Sequence, residues 1–365
     1  MSEGMRLLGN RILLFQHGGV AMNGIFPTPH TPTKTLIRLA AAAALAWSAG
    51  AQAQADVDAL VKAARAEGEV TWYSSSPDTQ NRRVIDAFTA KYDIKVNVLR
   101  LSSTNLQQRY SAEAGAGNIA ADVVVNAGNS VAYAESGIKN AWVESISEAG
   151  IPVIKSGEYP AKFNRGPTAI VQVTPWLISY NSDKVKGADV PREWRDLLKP
   201  QFRGQFIMPD PRVSDAYLDV LALLLDRYGE AFFNQLRAQN IRLASQGSSA
   251  IQSLGAGEGL VVGPTTSANV MIIKSKGAAV DMAVPDLTSG VELQVMLSAR
   301  AKSRRPNAAR LFANYVLSKE GNTVYNNEPA GVTMYDTTGL PKDYQSPKPG
   351  TSARKDQIYK LLGLI

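Results

Sequence analysis

Patterns typical of strands alternate with patterns typical of helices along this chain, and that alternation constrains its fold more than any other feature. The run Glu69–Tyr73 has the β-branched and aromatic residues of a strand, and it lies between two helical patterns, Asp56–Glu67 and Asp78–Lys91. Three valines follow Asp122, as in a strand that is buried on both faces. Strand–helix–strand units at this spacing predict a parallel α/β sheet.

The alternation continues towards the C-terminus, and the 365 residues are enough for two compact domains. Further strands are predicted at Lys95–Leu101, on both sides of Pro175 within Ala169–Tyr180, and at Gly204–Met208, Gly259–Gly263, Ala279–Val284 and Glu292–Leu297. Further helices are predicted at Asn105–Ala114, Pro191–Leu198, Tyr217–Tyr228, Glu230–Ala238, Ser267–Lys276 and Asn307–Ser318. The polar, proline-rich segment Pro341–Pro349 is predicted to be extended or a surface loop.

The N-terminal segment has the composition of a secretory signal peptide. Lys34 and Arg38 precede the short apolar run Leu39–Trp47, and small residues follow it. Two cleavage positions fit, after Ala53 or after Ala55, and we favour Ala55. The sequence therefore predicts export to the periplasm, with residues 1–55 as an N-terminal extension and signal peptide. A buried N-terminal helix is the alternative. Three methionines are candidate translation starts: Met1, Met5 and Met22.

The residue types that are absent exclude several kinds of chemistry. The chain has no cysteine, and both histidines lie in the segment that cleavage after Ala55 would remove. Cys–His and Ser–His–Asp catalysis and the usual zinc sites are therefore excluded, and we expect neither an enzyme nor a cofactor. Residues 1–55 carry four basic residues and one acidic residue, so the net charge of +7 falls to +4 without them. No nucleic-acid motif accompanies this mild excess, and we expect no nucleic-acid partner.

Polar turns follow the predicted strands, at the positions where open parallel sheets bind ligands. Any one of these turns can cap the helix that follows it, and capping is an adequate explanation of each turn taken alone. Several free helix N-termini that face one crevice would instead attract an anion, because their N–H groups and helix dipoles point towards it. Six such turns are present, at residues 74–78, 102–105, 126–130, 209–215, 245–249 and 263–269.

These turns supply the candidate ligand-binding residues, and none of them is selected as catalytic or metal-binding. The candidates are Ser74, Ser75, Ser76, Ser103, Asn126, Asn129, Arg212, Ser214, Asp215, Ser248, Thr265, Thr266 and Ser267. Arg212 could form a bidentate salt bridge to an anionic ligand, and an ion pair at the surface or between domains explains it equally well. Four aromatic residues near the turns could stack on a ligand, although aromatic residues in strands more often belong to the core: Trp72, Tyr73, Trp176 and Tyr180.

Four stretches of the chain, taken together, resemble a known family of proteins. They are Glu69–Ser76 (EVTWYSSS), Pro191–Pro211 (PREWRDLLKPQFRGQFIMPDP), Ser248–Gly259 (SSAIQSLGAGEG) and, most clearly, Pro306–Glu320 (PNAARLFANYVLSKE). In this order, along nearly all of residues 56–340, the chain resembles the periplasmic ferric-iron-binding family of ABC importer solute-binding proteins. Relatives in that family bind iron, thiamine, phosphonates, sugar phosphates or polyamines.

The resemblance implies a two-lobe periplasmic binding protein of type II, a Venus flytrap in which each lobe is a doubly wound α/β sheet with flanking helices. It implies residues 56–178 and 288–340 as lobe 1, residues 179–287 as lobe 2, and residues 341–365 as a C-terminal tail that packs on the lobes. The chain would cross between the lobes near Leu177–Asn181 and Val284–Val291. A monomer would close around its ligand and then dock on the permease subunits at the inner membrane.

Two turns differ from those of the iron-binding relatives. Those relatives carry a Tyr–Tyr pair after the strand that here ends at Gly263, and often a His after the first strand. This chain has neither, since residues 264–269 read PTTSAN and residues 74–78 read SSSPD. Ferric ion prefers anionic oxygen donors such as phenolate and carboxylate. We therefore expect a small organic anion, such as a phosphonate, a sugar phosphate or a carboxylate, with ferric iron or a ferric chelate as the alternative.

Two other classes of function stay open from the sequence. A secreted hydrolase could use Ser214 or Ser248 as nucleophile, but the chain has no Gly-x-Ser-x-Gly elbow and the mature chain would have no histidine base. A receptor with the same fold would signal instead of importing, and the sequence does not distinguish it from an import protein.

Overall fold

The computed structural model describes residues 54–327 and 331–365, so residues 1–53 of the predicted signal segment lie outside the described part. The strands are β1 (Glu69–Ser74), β2 (Lys95–Arg100), β3 (Val123–Asn126), β4 (Val143–Glu144), β5 (Ala169–Pro175), β6 (Leu177–Asn181), β7 (Phe206–Pro209), β8 (Arg242–Ala244), β9 (Val261–Thr265), β10 (Val280–Ala283), β11 (Leu287–Thr288), β12 (Gly290–Ser298) and β13 (Asp343–Tyr344).

The helices follow the strands in alternation. They are α1 (residues 54–67) and α2 (Asp78–Tyr92), α3 (Ser103–Gly115), α4 (Ser130–Lys139), α5 (Pro152–Lys155), α6 (Ala216–Ala238), α7 (Gly247–Gly255), α8 (Ser267–Lys274), α9 (Pro306–Leu317), α10 (Lys319–Tyr325) and α11 (Lys355–Leu362). Across residues 54–327 and 331–365, no helix combines the length and the apolar character that a membrane crossing needs.

The first sheet has six strands in the order β2-β1-β3-β12-β4, with β5 also paired to β12. β1 is parallel to β2 and β3, so Trp72 lies beside both Val98 and Val123. β12 runs antiparallel to β3, β4 and β5. The parallel pairing places the carboxyl ends of β1, β2 and β3 at one edge of the sheet, where the polar turns follow them.

The second sheet has five strands in the order β10-β6-β9-β7-β8. β7 is parallel to β8 and β9, whereas β6 is antiparallel to β9 and β10. The chain leaves the first sheet at Pro175 and enters the second at Leu177, and it returns between Ala283 and Gly290. We call each sheet with its helices a lobe, the first lobe and the second lobe.

Each sheet separates two apolar cores, because successive side chains of a strand point to opposite faces. In β3, Val123 and Val125 belong to one core and Val124 to the other. In β7, Phe206 lies in one core and Ile207 in another. Helices cover both faces of both sheets, which confirms the α/β prediction.

The two helices predicted at Tyr217–Tyr228 and Glu230–Ala238 are confirmed, because α6 is interrupted by a kink at Gly229, whose backbone is non-helical with φ of 72°. The left-handed region is accessible to glycine without strain, so α6 changes direction there. The helix predicted at Pro191–Leu198 is a 3₁₀ helix at Trp194–Leu198.

The C-terminal segment, residues 341–365, is more structured than the sequence predicted, because α11 was not foreseen. β13 pairs with β11, the short strand on the way back to the first sheet. α11 then packs on α6, and its Ile358 and Leu362 are buried in a core of the second lobe. The tail therefore contributes to the core of the second lobe as well as covering its surface.

Ile358→Ala is expected to destabilise the protein by about 2–5 kcal/mol, because it removes a fully buried side chain from a packed core. Urea denaturation followed by circular dichroism measures the change. Lys355→Ala, on the exposed start of α11, is the matched control. A loss below about 1 kcal/mol for Ile358→Ala would show that α11 does not belong to the cooperative core.

Candidate ligand-binding site

A cleft of about 780 Å³ is lined by residues of both lobes. The first lobe contributes the N-terminal ends of α2, α3 and α4 and parts of β5 and β12, and the second lobe contributes the N-terminal ends of α6 and α8. A volume of this size is typical of pockets that enclose small molecules. We refer to this feature as the cleft.

The structure brings seven of the thirteen sequence-predicted residues together in the lining of the cleft. They come from five of the six polar turns, and the turn at residues 245–249 contributes none. The seven are Ser75, Ser103, Asn129, Ser214, Asp215, Thr266 and Ser267. Two hydrogen bonds from backbone N–H groups join the turns of the first lobe. The Ser75 N–H donates to Val125 O at 2.9 Å, and the Ala127 N–H donates to Ser103 Oγ at 3.1 Å.

Two predicted serines are buried beside the cleft and are used within the first lobe. The Ser74 hydroxyl donates to Asn81 Oδ1 at 2.8 Å, which ties the end of β1 to α2. The Ser76 hydroxyl is hydrogen-bonded to the Tyr325 hydroxyl at the end of α10. Both contacts fix the turn that carries Ser75.

Three further predicted residues are outside the lining. Asn126 and Thr265 are buried at the ends of β3 and β9, and within residues 54–327 and 331–365 neither Asn126 Nδ2 nor Thr265 Oγ1 has a hydrogen-bond partner. Ser248 is exposed in the first turn of α7.

Arg212 also lies outside the lining of the cleft, and its guanidinium is engaged by its own turn. Arg212 Nη2 donates to Asp210 Oδ2 at 2.6 Å, and Nε donates to Oδ1 at 2.9 Å. These hydrogen bonds lower the pKa of the Asp210 carboxyl. Nη1 donates to the carbonyl oxygen of Leu364 at 3.3 Å, so Arg212 also contacts the C-terminal segment.

The helices that begin at the cleft have weak side-chain caps or none. The N-cap residues of α2, α4 and α8 are Pro77, Asn129 and Thr266, and none of them makes a side-chain capping hydrogen bond. At α3 and α6, the contacts from the first-turn N–H groups to Ser102 Oγ and Ser214 Oγ are long, at 3.4 Å. The first-turn N–H groups of α2, α4 and α8 are therefore available to water or to a ligand. At α6, the N–H groups of Tyr217 and Leu218 instead donate to Ser214 O and Asp215 O.

Three helices that begin away from the cleft have side-chain partners at their N-termini. At α10, the Ser318 hydroxyl accepts from the Gly321 N–H at 3.2 Å. At α9, the Glu67 carboxylate accepts from the Ala308 N–H at 2.7 Å. At α7, a capping box joins Gln246 and Ser249. At α11, which also begins away from the cleft, the N-cap residue Arg354 makes no side-chain capping hydrogen bond to any described residue. Uncapped helix starts are therefore concentrated at the cleft but are not confined to it.

Several lining residues were not predicted, and they lie four residues after a lining residue near the start of the same helix. Arg83 follows Thr79 in α2, Gln107 follows Ser103 in α3, and Met271 follows Ser267 in α8. This spacing puts both members of each pair on one face of the helix. Counting one helical turn forward from the selected residues would therefore have identified these additional lining residues.

The start of α2 is fixed to the end of α10. Arg83 Nε donates to Val324 O at 2.7 Å, and Arg83 Nη2 donates to Tyr325 O at 2.9 Å. Gln80 Nε2 also donates to Tyr325 O at 2.9 Å. A cationic side chain at the carbonyl end of a helix interacts favourably with the helix dipole, so this contact holds the first-lobe wall in place.

An aromatic pair lies where the chain first passes from one lobe to the other. Trp176 follows β5 directly, and its ring lies on that of Tyr217 with centroids 5.2 Å apart. The Tyr217 hydroxyl accepts from the Gly247 N–H at 3.1 Å. Of the four aromatic residues that the sequence singled out, Trp176 lines the cleft, while Trp72 and Tyr73 belong to the cores of the first sheet.

Two α/β lobes joined by two passages of the chain, with a cleft between their helix N-termini, define the fold of type II periplasmic binding proteins. The family of bacterial extracellular solute-binding proteins matches residues 118–351, and the chain belongs to that family. Both findings confirm the expectations of fold and family that the resemblance gave.

Three known proteins illustrate the similarity. The thiamine-binding periplasmic protein of Escherichia coli is 26% identical over 238 residues, which cover 61% of this chain and 70% of that protein. The substrate-binding protein of an ABC transporter from Agrobacterium tumefaciens has a TM-score of 0.64 at 16% identity, with 80% of this chain and 94% of that chain covered. The periplasmic binding protein AfuA of Actinobacillus pleuropneumoniae, with fructose-6-phosphate bound, has a TM-score of 0.58 at 21% identity, with 81% and 98% covered.

Behind the cleft, the Asp219 carboxyl lies between the lobes and the C-terminal segment. The Thr351 hydroxyl donates to Asp219 Oδ1. Burial raises the pKa of Asp219 from its ordinary 3.8 to about 6, the hydrogen bond from Thr351 opposes this, and the carboxylates of Glu292 and Asp215 add to it. The folded state therefore binds this proton more tightly than the unfolded state. The stability that the folded state gains from binding this proton is complete below about pH 3.8, and it is lost as the pH rises through about 6.

Asp219→Asn is expected to make the stability of the protein less dependent on pH in this window. Asparagine keeps the oxygen that accepts from Thr351 but cannot ionise, so the variant should gain stability over the wild type as the pH rises from about 3.8 to about 6. Urea midpoints of both proteins across this range give the difference. The exposed Asp356→Asn serves as the control, and a wild-type-minus-variant difference that does not change with pH would contradict the assignment.

Proposed function

We propose that this protein is the periplasmic solute-binding component of an ABC importer, and that it captures a small organic anion between its two lobes. The observation that carries the proposal is the set of weakly capped helix N-termini from both lobes at one cleft. Oriented N–H groups and the positive ends of helix dipoles favour a negative charge. Because both lobes contribute such groups, an anion bound between them stabilises the closed arrangement.

Several observations support the compartment and the partners. The chain belongs to a family of extracellular solute-binding proteins. The E. coli relative is periplasmic, and the A. tumefaciens structure belongs to an ABC transporter. With the signal-peptide pattern around Leu39–Trp47, these similarities support an exported monomer that delivers its solute to permease subunits.

We propose residues 56–178 with 288–340 as the first lobe, residues 179–287 as the second, and residues 341–365 as the tail. The strands of the two sheets support this division, since β1–β5 and β12 pair in one sheet and β6–β10 in the other. Solute exchange then requires a hinge motion at the two passages between the sheets.

The composition of the lining supports an organic anion over ferric iron. Among the described residues that line the cleft, Asp215 is the one carboxylate and Tyr217 the one phenol. The phenol oxygen already accepts a hydrogen bond from Gly247. Most other polar lining groups are neutral hydroxyls and amides, which suit the oxygen atoms of a phosphonate, a sugar phosphate or a carboxylate better than a hard trivalent cation.

The mechanism has no step that makes or breaks a covalent bond, and we propose that the protein is not an enzyme. The solute first contacts the N-terminal ends of α2, α3 and α4. Closure then brings the N-terminal end of α8 to it, with Thr266 and Ser267 as the groups of the second lobe that complete its hydrogen bonds.

Ser267→Glu is expected to weaken binding of the organic anion at least about tenfold, because a carboxylate at the start of α8 occupies the site of the solute's charge and repels it. Glutamate is favourable at a helix N-terminus, so the variant should fold. The probe is the strongest ligand from a thermal-shift panel of organophosphonates, sugar phosphates, carboxylates and ferric citrate, and isothermal titration calorimetry gives the affinities.

The matched control is Ser136→Glu, the same substitution at an exposed position of α4 outside the lining of the cleft. It should bind like the wild type. Wild-type affinity in Ser267→Glu, or a panel in which only ferric citrate raises the melting temperature, would contradict the proposal.

A further inference from the structure

We infer that the solute carries a hydrogen-bond donor, a hydroxyl or an ammonium group, in addition to its anionic group, and that Asp215 is the residue that selects for it. This inference rests on the proposed function and concerns the chemical class of the solute. It separates hydroxylated or amino-substituted anions from plain alkyl phosphonates and carboxylates.

Asp215 presents an unpaired carboxylate to the cleft. It is the N-cap residue of α6, with an αR backbone, and its side chain makes no capping hydrogen bond. It is exposed, it lines the cleft, and no hydrogen bond or ion pair of its side chain occurs in the described part of the chain. An ionised carboxylate only accepts hydrogen bonds, so a solute that fills the cleft must bring a donor to it.

A second acceptor lies in the opposite wall of the cleft. Gln80, in the first turn of α2, is 1% exposed and lines the cleft from the first lobe. Its Nε2 donates to Tyr325 O at 2.9 Å, which fixes the orientation of the amide, and its Oε1 has no hydrogen-bond partner. A buried acceptor without a donor is costly. This oxygen has almost no accessible surface, however, so Asp215 and not Gln80 is the acceptor that a solute in the cleft meets.

The charges around α6 determine which end of the solute faces Asp215. Asp219 follows one turn later, and its pKa is raised in part by the carboxylates of Asp215 and Glu292. These carboxylates repel an anion at the start of α6, although the N-terminus of a helix would by itself attract one. α2 carries Asp78 in its first turn, whereas α4 and α8 have no acidic residue there. The anionic group therefore belongs at α4 and α8, and the donor belongs at Asp215.

Three probes of equal chain length test this directly: 3-aminopropylphosphonate, 3-hydroxypropylphosphonate and propylphosphonate. They differ only in the substituent on the third carbon, which is an ammonium group, a hydroxyl group or hydrogen. Isothermal titration calorimetry on the full mature chain should show the ammonium and hydroxyl probes binding at least about tenfold more tightly than propylphosphonate, the range of one charge-assisted hydrogen bond. Equal affinities for all three probes would overturn the inference and leave the proposed function intact.

The variant Asp215→Asn has nearly the same shape and no charge. It should lose most of the preference for the ammonium probe while its affinity for propylphosphonate stays the same or rises. Asp183→Asn, an equal change of charge at an exposed position outside the cleft lining, should keep the wild-type preference. A preference that persists in Asp215→Asn would overturn the role of Asp215. If the wild type binds none of the three probes, this inference fails. The proposed function fails as well only if no organic anion of the thermal-shift panel binds.

Discussion

The cleft depends on one constraint: the N–H groups in the first turn of a helix need a partner from outside the helix. At α7, α9 and α10 the chain supplies that partner from its own side chains. At α2, α4 and α8 it does not, although two of these N-cap residues, Asn129 and Thr266, are types that cap well elsewhere. The first turns of these three helices therefore stay available for the ligand that we propose.

The rest of the architecture holds these helix ends in position. Parallel pairing of β1 with β2 and β3, and of β7 with β8 and β9, brings the carboxyl ends of the strands to one edge of each sheet. Hydrogen bonds between turns and the contact of Arg83 with the end of α10 fix the first-lobe wall. The C-terminal segment reaches α6 through α11 and the Thr351–Asp219 contact. The site is thus built on rigid elements, and its two walls meet at the passages between the sheets.

The sequence predicts this fold well because the signals are local. The alternation of strand and helix patterns predicts the end of β1 to within one residue. The polar residues after the strands identify five turns that line the cleft. What it misses has three sources: an ion pair within one turn, the order of the strands in the second sheet, and the next turn of a helix. Asp210, two residues away, engages Arg212. The turn at residues 245–249 follows β8, and the position of β8 at the edge of its sheet is a property of strand order. Gln107 and Met271 lie one turn beyond the residues that were selected.

The central claim is that backbone amides at helix N-termini hold the charge of the solute, and a crystal structure with a bound organic anion tests it most directly. The account predicts anionic oxygens within about 3 Å of first-turn nitrogens of α8 and of α2 or α4, with the solute enclosed by both lobes. A solute held only by side chains, or one that lies outside the cleft while those amides remain hydrated, would contradict it.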